Sequence, residues 1–120
     1  METLKKIYIV YMSYPYTEDP KRTTEEIKEI AQNLLNDHDD LVLLIPHLVF
    51  DTIWAENGEL PAGYTHPEIA VQELALIAKI DIFAYNPFRI SSGVRWEKAF
   101  ATVMEIPVLT FAELLKGVRP

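Results

Sequence analysis

"IYIVYM" at residues 7–12, "TTEEIKEIAQNLLND" at 23–37 and "DDLVLLIP" at 39–46 follow one another with little between them. The first and third are short apolar runs rich in β-branched or aromatic side chains, which is the composition of buried strands. In the middle stretch Ile27, Ile30, Ala31 and Leu34 recur at helical spacing, and Thr23 with Glu26 fits a capping box. Pro46 stops the second strand. A strand, a helix and a second strand in about forty residues read as a βαβ unit, whose crossover makes the strands parallel.

Working outward, the same alternation continues. "SYPYTEDPKR" (13–22) reads as a loop with Pro15 and Pro20 as breakers, and residues 47–66 as a long loop holding Trp54, Gly58, Pro61 and Gly63. "HPEIAVQELALIAKI" then predicts a helix with Pro67 in its first turn. "DIFAY" predicts a third strand, "NPFRISS" a loop, "GVRWEKAFATVME" a third helix and "IPVLTF" a short strand. "AELLKG" gives a last helical turn closed by Gly117. We therefore expect residues 1–120 to form a single α/β domain. Its core is an open, mainly parallel sheet of four or five strands with helices on both faces, of flavodoxin or Rossmann-like type. Ligands of such sheets bind at the carboxyl ends of the strands, where strand order reverses. The loops at 13–20, 47–66 and 86–92 belong to that end.

Composition narrows the functional classes. The chain is 49% hydrophobic and 24% charged, without cysteine, so disulfides and thiolate zinc sites are excluded and a cytoplasmic setting is expected. A net charge of −7 disfavours a nucleic-acid polymer as partner. No run approaches the ~20 apolar residues of a membrane span, and no signal-peptide pattern is read at the start. His38, His47 and His66 lack the helical spacing of a metal motif, so neither metal nor cofactor is expected.

Two acids break the expected polarity of their helices. On a helical wheel Glu68, Gln72 and Lys79 form the wet stripe, while Glu73 falls roughly 120° away beside Ile69, Leu76 and Ile77. On the next helix Arg95, Lys98, Thr102 and Glu105 face water, and Glu97 falls roughly 120° away among Phe100, Ala101 and Met104. Inward carboxylates are costly without partners. Ahead of Glu97, Ser91 and Ser92 can cap the helix, and Gly93 admits close approach of a ligand to backbone N–H groups. A helix cap alone explains the same three residues. The helix dipole favours an ionised, partly desolvated Glu97, which is the state a carboxylate nucleophile requires.

Asp81, "SSGVRWE" (91–97) and Ala101 together resemble the pattern of the nucleoside 2-deoxyribosyltransferase superfamily, specifically its small uncharacterised branch. "IYIVYMSYPYT" is similar to that family's first strand and loop, and "MEIPVLTF" to its closing strand. The likeness runs from Ile7 to Phe111 and is weakest over 47–66. It implies cleavage or transfer of the N-glycosidic bond of a nucleoside or, with Ser91 where nucleoside transferases carry aspartate, a nucleoside 5′-monophosphate. By this resemblance Glu97 is the nucleophile that forms a covalent glycosyl ester, Glu73 the second acid, and Tyr8 the tyrosine that hydrogen-bonds the nucleophile. Ser91, Ser92 and Gly93 hold the sugar or phosphate end.

Ser13, Tyr14 and Tyr16 of the first loop, His47 and Trp54 complete the candidate substrate contacts. For Trp54, stacking on a base and simple packing are both open. The family usually has aspartate at the position of Glu73, and glycine at that of Ala99. The resemblance also implies a homodimer or higher homo-oligomer. The alternative reading is a non-catalytic nucleotide-binding or sensing protein of the same fold; a third is an α/β interaction domain without a small-molecule site.

Overall fold

A computed structural model describes residues 5–15, 20–46 and 67–120. Its elements are β1 (Tyr8–Met12), α1 (Pro20–Asp37), β2 (Leu41–Leu44), α2 (Pro67–Ile77), β3 (Ile82–Tyr85), α3 (Ser92–Val103), β4 (Val108–Thr110) and α4 (Phe111–Leu115). The strands form one sheet in the order β2-β1-β3-β4. All three pairings are parallel, with Tyr8 opposite Leu41, Tyr11 opposite Phe83, and Ala84 opposite Leu109. This is the open parallel α/β sheet that the strand–helix alternation requires.

Period-two alternation divides β1 between two cores. Val10 and Met12 face α1 and α4, packing with Ile27, Leu34, Ile82, Phe111 and Leu114. Tyr11 faces the other way, against Phe83, Ile77 and Ala101, on the side covered by α2 and α3. The Tyr11 and Phe83 rings stack across the two strands, with centroids 5.7 Å apart and planes 14° off parallel. A pair of this kind adds about 0.5–1.5 kcal/mol beyond its buried area. Because β1 and β3 occupy the middle of the sheet, Val10, Tyr11, Met12, Ile82, Phe83 and Ala84 are all essentially inaccessible.

One boundary differs from the sequence reading. The first helix begins at Pro20, so Thr23 lies inside it, buried, and is not its cap. Proline suits a first helical turn because its missing N–H has no helical partner there anyway. Glu26, the other half of the expected box, instead pairs with Arg22 and Arg89. The capping box that does form is at α4, where Thr110 and Glu113 exchange side-chain to backbone bonds. Gly117 ends that helix with φ 94°, the left-handed conformation that favours glycine.

The lower rim of the sheet is fastened by polar contacts. Asp81 Oδ2 accepts from the Ile9 amide at 2.8 Å while the Asp81 amide donates to the Ile9 carbonyl at 3.0 Å. Asp81 therefore sets where β3 starts against β1. Arg119 grips Asp40 with two nitrogens, at 2.8 and 3.0 Å, and also donates to the Leu114 carbonyl at 3.1 Å. The guanidinium holds the Asp40 carboxyl below its usual range, chiefly through this hydrogen bonding. A depressed acid stabilises the fold above its unfolded pKa and loses that contribution as pH falls through the folded value. Arg119→Ala should therefore cost about 1–3 kcal/mol in denaturant unfolding at neutral pH. The difference from wild type should shrink below about pH 4.

Candidate functional site

Strand order reverses between β1 and β3, since β2 lies beyond one and β4 beyond the other. Their carboxyl ends therefore flank the crevice where such folds bind ligands. Ser13 follows β1 there, 2% exposed, with its amide bonded to the Ala84 carbonyl at 2.9 Å. Helix α3 passes over this end of the sheet and lowers Glu97 into it. Four residues on, Ala101 is fully buried against Tyr11 and Phe83, and its small side chain lets the helix approach closely enough for Glu97 to reach the strand tips.

Among the described residues, three groups meet the Glu97 carboxylate. The Tyr11 hydroxyl donates to Oε2, and the Ser13 hydroxyl donates to Oε1 at 2.8 Å. Glu73 reaches it from α2, hydrogen-bonding carboxyl to carboxylate. Such a contact requires one proton between the two acids, because like charges at this separation cannot both ionise freely. Glu97 as a whole residue is half-buried, but its carboxylate end is enclosed. Burial raises the Glu97 pKa, while the bonds from Tyr11, Glu73 and Ser13 pull against that rise and favour the ionised form. The two inward acids of the sequence thus converge on one point. The hydroxyls of Tyr11 and Ser13 fix the carboxylate plane.

The resemblance assigns Tyr8 to the nucleophile, and the geometry overturns that assignment. Tyr8 lies against the α1 and α4 core, on the opposite face of the sheet from Glu97, with Lys6 over its ring. It also begins β1, whereas the ligand end is three residues further on, about 10 Å along the strand. Tyr11 is the tyrosine that hydrogen-bonds Glu97. The signal was present in the alternation of β1, which puts Tyr11 and Ser13 on one face and Tyr8 on the other.

The remaining candidates divide. Tyr14 is 4% exposed and stacked on Phe111 in the α1 and α4 core, so its ring is packing rather than a free wall for a base. Arg89 sits over that ring, and the phenol pKa is raised first by burial and then by Glu26. Ser91 is the N-cap of α3; its hydroxyl accepts from the Val94 amide at 3.2 Å. Ser92 and Gly93 are exposed on the first turn. Tyr16, His47 and Trp54 lie outside the described residues. No group of three or more histidine, aspartate or glutamate side chains suited to a metal gathers among the described residues.

No family model matches this sequence, and neither does any curated protein. Among solved structures, the chain is similar to a conserved protein from Enterococcus faecalis V583, with a TM-score of 0.63 at 15% identity. The match covers 87% of this chain and 62% of that one, so the chain spans less than two thirds of its length. A likeness at this identity is one of fold. No helix among the described residues is long and apolar enough to cross a membrane.

An open groove of about 300 Å³ lies elsewhere, between α1 and α4 under Asn86, Pro87 and Phe88. It is on the face of the sheet away from Glu97, and the carboxylate pair takes no part in it. Gly93 offers a sharper probe of ligand approach. Among the described residues, a methyl group there would meet only Ser91 Oγ, at an ordinary 3.7 Å. Gly93→Ala should leave stability unchanged or raise it by up to about 1 kcal/mol. If a ligand uses the α3 backbone, the same change should weaken its binding about tenfold, read by calorimetry.

Proposed function

We propose that the protein cleaves or transfers the N-glycosidic bond of a nucleoside or nucleoside 5′-monophosphate. The observation that carries this reading is the Glu73–Glu97 pair: one enclosed carboxylate held by two hydroxyl donors and hydrogen-bonded to a second acid, at the switch point of a parallel sheet. The residue resemblance over 91–97 supports the substrate class, and Ser91 inclines it toward the 5′-monophosphate.

In this mechanism a Glu97 oxygen attacks the anomeric carbon as the bond to the base breaks. The bonding pair leaves with the base, which takes the proton that Glu73 carries. The positive charge developing on the sugar faces the Glu97 carboxylate, which stabilises it and then traps it as an ester. Water, or a second base, then attacks the same carbon. Glu73 accepts the incoming proton, and Glu97 is released as carboxylate. Tyr11 and Ser13 act as positioning residues, holding one carboxylate oxygen each. Incubation with a panel of nucleosides and their 5′-monophosphates, followed by chromatography, tests the reading. Free base, or an exchanged base when a second one is supplied, is the expected product. Absence of both across all common bases would contradict it.

A further inference from the structure

Arg89 lies in the turn between β3 and α3, and its side chain reaches away from that turn. The turn is closed by other groups: the Arg89 amide donates to the Asn86 carbonyl at 3.0 Å, and the Phe88 amide to Asn86 Oδ1 at 2.9 Å. The guanidinium crosses to α1, donating to Glu26 Oε1 at 3.2 Å, and lies over the Tyr14 ring, 5.7 Å from its centroid. Tyr14 also hydrogen-bonds Glu26, and its ring rests on Phe111. The Arg89 and Glu26 side chains are 29% and 32% exposed, so water and salt screen this pair less than a surface ion pair. Two of the segments joined here carry the groups that hold Glu97. Tyr14 directly follows Ser13, whose hydroxyl donates to Glu97 Oε1 at 2.8 Å. Arg89 stands two residues before Ser91, the N-cap of the helix that bears Glu97. The clasp is on one face of the sheet and the carboxylate on the other, at the same end. Tyr11 differs from Ser13 in this respect, since it sits fully buried inside β1 with its register set by both neighbouring strands.

We propose that Arg89 is a positioning residue for Glu97: by clasping Glu26 and Tyr14 it fixes the exit of β1 against the start of α3, so that Ser13 reaches the carboxylate. A planar guanidinium suits the task, because it meets a carboxylate with its edge and a ring with its face. It also stays charged at every working pH, so the clasp does not open by deprotonation. Such a residue matters to chemistry without touching the reacting atoms, since a misplacement of about 1 Å can cost about 10²-fold in rate. The kinetic consequence rests on the glycosidic reading. The link from Arg89 through Ser13 to Glu97 does not, and it is measurable in the absence of turnover.

Carboxyl-carbon NMR of the full chain with isotope-labelled glutamate tests it, the Glu97 signal being assigned by its loss in Glu97→Gln. Glu97 is faced by Tyr11 from β1 and Glu73 from α2, which stay in place, and by Ser13, whose bond favours the ionised form. Arg89→Ala should therefore move the Glu97 titration to higher pH, as Ser13→Ala does. The double variant should move it no further than Ser13→Ala alone, because Arg89 acts through the serine. Glu26→Ala should also move it upward. Loss of a negative charge would by itself move it downward, so this variant separates the clasp from a long-range charge effect and serves if Arg89→Ala does not fold. Arg89→Lys, which keeps the charge without the planar face, should fall between wild type and Arg89→Ala. In turnover of a nucleoside 5′-monophosphate, Arg89→Ala should lose about tenfold in kcat with KM changed less than about twofold. An unmoved titration in Arg89→Ala, opposite shifts in Arg89→Ala and Glu26→Ala, or a double variant shifted beyond Ser13→Ala would each overturn the proposal. If the titrations behave as stated and wild type releases no base, the clasp stands and the glycosidic reading falls.

Discussion

Glu97→Gln should lower the rate of base release by at least about 10³-fold, because the amide cannot form the glycosyl ester. Ligand-induced thermal shift should survive, since the replacement side chain keeps the shape of the pocket and the hydroxyls of Tyr11 and Ser13 can turn to suit an amide. The same substitution should also make the protein more stable. Burial raises the Glu97 pKa, and an acid raised on folding stabilises the fold fully below its unfolded pKa of about 4.3. That contribution is lost as pH rises through the folded value, so at neutral pH the ionised form is a burden on the fold. A neutral amide removes it. We expect Tm at pH 7 to rise. The gain should fade as the buffer approaches the unfolded value. Lost activity joined to gained stability is the mark of a carboxylate held in place for chemistry rather than for packing.

Glu73→Gln should give the second largest loss, about 10²–10⁴-fold in kcat/KM for natural bases, since proton delivery to the departing nitrogen is removed. The deficit should be much smaller for a glycoside whose leaving group departs without a proton, such as a nitrophenolate. Glu97→Gln should impair both substrates alike. Comparing the two substrates across the two variants separates the acid from the nucleophile. A Glu73→Gln enzyme equally slow on both would assign Glu73 to positioning alone. The paired acids also set the pH response. Activity should fall on the acid side as Glu97 protonates and on the alkaline side as the shared proton leaves, with apparent values that belong to the pair.

Much of this architecture was legible in the chain because period and composition agree. β1 and β3 are runs of β-branched and aromatic residues, and their burial on both faces follows from central places in a parallel sheet. The inward turn of Glu73 and Glu97 came from helical arithmetic alone. The wheel cannot say whether two acids on different helices meet. Their hydrogen bond depends on α2 and α3 lying side by side on one face of the sheet, which is a tertiary fact. Tyr8 and Tyr11 show the opposite failure. Both are strand tyrosines, and resemblance favoured the wrong one although alternation and distance from the carboxyl end favour Tyr11. Tyr14 is a third case. A tyrosine after a strand looks like a pocket wall, yet its ring is claimed by Phe111 from an element about a hundred residues away. Thr23 failed for a local reason, since Pro20 opens the helix one turn earlier.

The most direct measurement is acid-quenched mass spectrometry of the protein mixed with a nucleoside 5′-monophosphate that it turns over, followed by peptide mapping. Our account predicts a transient adduct of one sugar phosphate on the peptide that contains Glu97, absent from Glu97→Gln. Base release without any adduct at Glu97, or an adduct carried by another residue, would contradict it.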